Sequence, residues 1–128
     1  MTEQTKSPTL FKILIVDDET AIAELLTTLL KNFGHDAIGV TEVSKALELL
    51  QNEQFDLLLT DLKMPDMNGI EVVKHAKRYA PHIKTILFTG WGYEFEDQAG
   101  LGSDIDAILP KPFGIKKLTK LIQEVMDK

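Results

Sequence analysis

Residues 12–20 read Lys12-Ile13-Leu14-Ile15-Val16-Asp17-Asp18-Glu19-Thr20. A short, unbroken apolar run rich in Ile and Val, ending abruptly in acids, reads as a strand buried on both faces whose carboxyl end meets water. From Thr20 to Phe33 the period changes: Ile22, Leu25, Leu26, Leu29 and Phe33 recur at helical spacing before Gly34. Strand followed by helix is the unit, and it repeats along the chain. Asp36 to Val40 forms a second strand and Glu42 to Asn52 a second helix, with Val43, Ala46, Leu47 and Leu50 on one face. Phe55 to Asp61 is a third strand. The turn-rich Met64-Pro65-Asp66-Met67-Asn68-Gly69 opens a third helix with Ile70, Val73 and Ala76 inward, stopped near Pro81. Lys84 to Thr89 is a fourth strand, Ala107 to Leu109 a brief fifth before Pro110, and Ile115 to Met126 a final helix. Between Trp91 and Gly102 a short or frayed helix is expected, because Gly92, Gly100 and Gly102 each weaken it by about 1 kcal/mol relative to Ala.

Strands alternating with about five helices imply an α/β fold. Its five-stranded parallel sheet is doubly wound in the order 2-1-3-4-5, with helices on both faces. Residues 1–10 lack periodicity and read as a flexible lead-in, leaving residues 11–128 as one domain. At 128 residues, 44% hydrophobic, such a domain buries roughly two-thirds of its unfolded surface and needs no disulfide or structural metal. The absence of cysteine excludes thiol chemistry and zinc–cysteine sites. A formal charge of −6, from 14 Lys and Arg against 20 Asp and Glu, argues against nucleic acid or an anionic membrane surface as partner. No apolar run approaches the roughly 20 residues of a membrane span, and the N-terminus lacks a signal peptide's apolar stretch, so a cytoplasmic protein is expected.

In this fold ligands bind at the carboxyl ends of the strands, beside the switch point between strands 1 and 3. The residues there are Asp17 and Asp18, Asp61, Thr89 and Lys111. Singly each has an ordinary explanation: Asp18 as a helix cap, Asp61 as a turn initiator, Thr89 as a strand-end hydroxyl, Lys111 as a solvated lysine. Jointly they place three carboxylates about one strand spacing, ~4.8 Å, apart, which calls for a cation between them. Oxygen donors without Cys or a convergent His favour a hard ion such as magnesium. His35, His75 and His82 are scattered, and Lys116, Lys117 and Lys120 read as a solvated helix face.

This constellation resembles the receiver domain of bacterial two-component response regulators, from Lys12 to Lys128. Val16-Asp17-Asp18-Glu19 is similar to the family's acidic pair, the segment from Asp61 to Gly69 to its phosphoacceptor region, and Lys111-Pro112-Phe113 to its lysine motif. The resemblance implies a flavodoxin-like fold in a stand-alone, non-enzymatic signalling module with at most slow self-dephosphorylation. Asp61 would take a phosphoryl group from a sensor histidine kinase or a histidine phosphotransfer protein. Asp17, Asp18, Asp61 and the Lys63 carbonyl would hold Mg2+, while Thr89 and Lys111 bind the phosphoryl oxygens. A cis Lys111–Pro112 bond is implied too. The output would be altered protein–protein contacts with a partner the sequence does not name. Alternatives within this reading are an intermediate carrier of a phosphorelay and a phosphorylation-independent interaction module.

Two positions depart from the family pattern. Ile108 stands where an aromatic residue is usual, and Gly90 follows Thr89 where a small Ala is usual. The relay is therefore expected to run through ordering of residues 90–105, with Trp91 placed either to shield an acyl phosphate or simply to pack on the fourth helix or a partner. An aspartyl phosphatase resembling the haloacid dehalogenases would need its second Asp two residues after the first, where Glu19 stands. A flavin carrier would need a Gly, Ser or Thr-rich phosphate turn where Asp17-Asp18-Glu19 repels anions.

Overall fold

A computed structural model describes residues 10–90 and 104–127. Its elements run β1 (Lys12–Val16), α1 (Thr20–Asn32), β2 (Asp36–Val40), α2 (Val43–Asn52), β3 (Leu57–Asp61), α3 (Gly69–Tyr79), β4 (Lys84–Thr89), β5 (Ala107–Pro110) and α4 (Ile115–Met126). The expected helix between Trp91 and Gly102, the relay through residues 90–105 and the shielding role of Trp91 fall wholly or mainly outside the described residues, as do residues 1–9 of the lead-in.

The strands form one parallel sheet in the order β2-β1-β3-β4-β5. Alternation along each strand splits the core into two layers, because successive side chains point to opposite faces. Ile13, Ile15, Leu57, Leu59, Ile86 and Phe88 pack with Leu26 and Leu30 of α1 and Leu118, Ile122 and Val125 of α4. Leu14, Val16 and Leu58 pack on the other side with Val43, Ala46 and Leu50 of α2 and Val72, Val73 and Ala76 of α3. The strand residues among these are fully buried, each worth about 1.5–3 kcal/mol relative to exposure. Both faces covered explains why β1, β3 and β4 read as continuous apolar runs.

Helix ends follow local chemistry. Asn68 caps α3 by accepting the Glu71 N–H at 3.0 Å. α1 stops before Gly34, whose φ of 96° suits a residue without a Cβ. The cap of α1 is Glu19 rather than Asp18, and its side chain makes no cap hydrogen bond. At the opposite end of the sheet Asp106 accepts the Thr85 N–H at 2.9 Å, while the Thr85 hydroxyl donates to the Asp104 carbonyl at 2.6 Å. Those bonds fix where β5 begins.

Candidate functional site

Register brings the acids together. Val16 pairs with Thr60, so the residues that follow, Asp17 and Asp61, leave neighbouring strands at the same edge. Asp61 in turn pairs with Phe88, one residue before Thr89. Asp17, Asp18 and Asp61 each offer a carboxylate oxygen, and these oxygens lie within 4.8 Å of one another. Three hard donors at that spacing fit a divalent cation such as magnesium.

Lys111 closes the site from β5's end. Its ammonium donates to Asp17 Oδ2 at 2.9 Å and lies 3.5 Å from Asp61 Oδ2 and 3.7 Å from Glu19 Oε1. The Lys111–Pro112 peptide is cis. Asp17 is fully buried, and its two oxygens are used: Oδ1 accepts the Glu19 N–H at 2.9 Å and Oδ2 the lysine. Asp61, 9% exposed, accepts the Leu62 N–H on Oδ1 at 3.0 Å. Asp18 is exposed.

The electrostatics are opposed at the two partners. Burial pushes the Asp61 carboxyl above its ordinary value, the Lys111 charge pulls it back and the Asp17 charge raises it again. For Lys111 burial acts downward, but the Asp17 hydrogen bond and the charges of Asp17, Asp61 and Glu19 outweigh it and hold the ammonium above its ordinary range. A largely buried carboxylate beside a fixed cation is the result.

An open cleft of about 320 Å³ leads to this group, lined by Asp18, Glu19, Asp61, Leu62, Lys63, Gly90 and Lys111. Lys63 is exposed on its rim. Thr89 is buried at the end of β4 and does not line the cleft; it is tied to the site through its carbonyl, which accepts the Lys111 N–H at 2.6 Å. The structure thus joins Asp17, Asp18, Asp61 and Lys111 directly, while Thr89 is linked to them through its main chain. Ile108, where an aromatic would be usual, packs against the small cluster of Leu62 and Leu87 with Ile70 and Ile105. Lys116, Lys117 and Lys120 are exposed, as a solvated face requires. Glu19 was not singled out by the sequence as a site residue. Its only signal there was its place as third acid of the run.

Beside the cleft, an apolar groove of about 270 Å³ runs between α1 and α4, lined by Ile22, Leu25, Leu29, Phe113 and Ile115 among others, with Lys111 at its margin. Leu25 is 54% exposed there. Among the described residues no helix is long and apolar enough to cross a membrane.

Over residues 13–123 the sequence matches the family described as response regulator receiver domain. It is 36% identical to a transcriptional regulatory protein CpxR homolog from Haemophilus influenzae, across 90% of this chain and 50% of that protein. The chain therefore spans about half the length of that relative. It is 32% identical to the response regulator receiver protein CpdR of Brucella abortus, over 90% of this chain and 96% of that one. The crystal structure of a CheY-like receiver domain protein from Methanospirillum hungatei superposes with a TM-score of 0.85 at 34% identity, covering 93% of this chain and 95% of the other.

Proposed function

The chain belongs to the response regulator receiver domain family, and from that premise we propose that Asp61 accepts a phosphoryl group from a phosphohistidine of a partner kinase or phosphotransfer protein. The module then signals in the cytoplasm through altered protein contacts, and self-dephosphorylation is at most slow. The observation that carries the reading is the position of the Lys111 ammonium, shared between buried Asp17 and the near-buried Asp61 at the mouth of an open cleft.

An Asp61 carboxylate oxygen forms the new bond to phosphorus as the bond from phosphorus to the donor imidazole nitrogen breaks, and the imidazole leaves with the bonding electron pair. Both reactants are anionic, so charge must be neutralised where they meet. Lys111 supplies one positive charge, held in place by Asp17. Asp17, Asp18, Asp61 and the Lys63 carbonyl would hold Mg2+, which when bound offsets the remaining negative charge. The Leu62 N–H, donating to Asp61 Oδ1, holds the carboxyl plane. Once modified, Asp61 presents further anionic oxygens to Lys111 and Thr89, and competition for the lysine shifts the ends of β4 and β5. The groove between α1 and α4, ending at Lys111, suits a helical partner that brings its histidine to the cleft.

Intact mass after incubation with magnesium and a small phosphodonor tests the reading. One added phosphoryl group, absent from Asp61→Asn and from a metal-free control, is the expected result. No addition under conditions that modify another receiver would overturn it and favour a phosphorylation-independent interaction module.

A further inference from the structure

Among the described acids lining the cleft, Glu19 is the one that phosphoryl transfer as described leaves without a part. Its carboxylate oxygen lies 3.7 Å from the Lys111 ammonium. Although Glu19 is the N-cap of α1, its side chain makes no cap hydrogen bond, so it is not spent on the helix. Its main chain is fixed, because its N–H donates to Asp17 Oδ1 at 2.9 Å. The side chain therefore leaves from a set point on the cleft wall, 65% exposed, toward the same lysine that Asp17 and Asp61 share.

We infer that Glu19 is a positioning residue for this site, whose charge favours a cation in the cleft, holds back part of the Lys111 ammonium and disfavours an incoming anionic phosphodonor. The inference rests on the phosphoacceptor reading for its second half only. A negative charge at the mouth acts with opposite sign on the two species that must enter, so its removal weakens one and helps the other. A side chain that merely stabilised α1 would change stability and leave that split absent. Being exposed, the charge acts modestly and is screened by salt.

Wild type, Glu19→Gln and Glu19→Asp are compared by calorimetric titration with magnesium alone, then by the second-order rate of phosphorylation by acetyl phosphate at saturating magnesium. Glu19→Gln is expected to weaken magnesium binding about two- to five-fold and to raise the phosphorylation rate constant about two- to five-fold, the span of an exposed charge pair. Glu19→Asp stays near wild type, and both differences shrink at about 1 M salt. Unchanged magnesium affinity in Glu19→Gln overturns the inference even where phosphorylation proceeds, as does a fall in both quantities together. Weaker magnesium binding in Glu19→Gln, as stated, beside a wild type that takes up no phosphoryl group leaves the cation half standing and refutes the phosphoacceptor reading instead.

Discussion

Gly69, the first residue of α3, presses so closely on the main chain of Asp61 that a Cβ at position 69 would overlap the Asp61 carbonyl oxygen and lie 2.7 Å from Leu87 Cδ1. The start of α3 is thereby seated on the backbone of Asp61, the proposed phosphoacceptor. The Gly69 N–H also donates to the Leu62 carbonyl at 2.7 Å, closing the loop that joins β3 to α3. Gly69→Ala must push backbone, not a flexible side chain. We expect a loss of about 1–3 kcal/mol, as for other overpacked sites, together with slower phosphorylation of Asp61. Urea denaturation and intact-mass kinetics measure the two effects, and an unchanged midpoint would show that the loop yields freely.

Lys111 and Asp17 form a second test. Asp17 is fully buried, so Lys111→Met leaves its carboxylate with the Glu19 N–H but no cation. Removing one member of such a pair costs about 3 kcal/mol, and Asp17→Asn in the same chain should restore part of the loss. The contribution also has a pH signature. A lysine held above its ordinary range stabilises the fold at neutral pH, and that stabilisation is lost as pH rises through its folded value. The wild type should therefore lose its advantage over Lys111→Met in strongly alkaline buffer.

Asp61→Asn should stabilise the protein in magnesium-free buffer at neutral pH. Burial, opposed by Lys111 and reinforced by Asp17, raises the carboxyl on folding. The folded state then holds the proton more tightly than the unfolded chain, so ionised Asp61 costs stability above its unfolded pKa, and the cost disappears as pH falls below it. The gain should close toward about pH 4, the ordinary carboxylate range. Denaturation curves at the two pH values decide, and a variant less stable than wild type at pH 7 contradicts the argument.

His35 predicts acid sensitivity far from the site. Its Nδ1 accepts the Phe11 N–H at 3.2 Å, its ring stacks on Phe11 with centroids 5.5 Å apart, and burial lowers its pKa. A histidine lowered on folding contributes fully above its unfolded value, about 6.5, and the contribution is lost as pH falls through the folded one. Wild type should lose more stability than His35→Gln between pH 7.5 and pH 5. Equal losses would remove His35 as the cause.

The exposed groove residue Leu25 separates docking from chemistry. Leu25→Glu lies on the surface, so folding and phosphorylation by a small donor should stay near wild type. Transfer from a phosphohistidine protein should slow. Equal transfer rates would show that the partner docks elsewhere.

By itself the sequence determined the alternation of strand and helix, the parallel order and the set of strand-end residues from which the site is built. Those features follow from local periodicity: apolar runs that two faces must cover, helical spacing, and acids that end a strand. Asp17, Asp18, Asp61 and Lys111 were legible that way. Only the tertiary structure decided which of them touch. Lys111 and Asp17, 94 residues apart, meet because register aligns the ends of β1 and β3 while β5 delivers the lysine from the sheet's far edge. It also decided that Thr89 is buried and tied to Lys111 through its carbonyl, that Glu19 joins the lysine's partners and that Gly69 bears on Asp61. Distances of that kind depend on how layers pack and how loops close, and spacing along the chain does not encode either one.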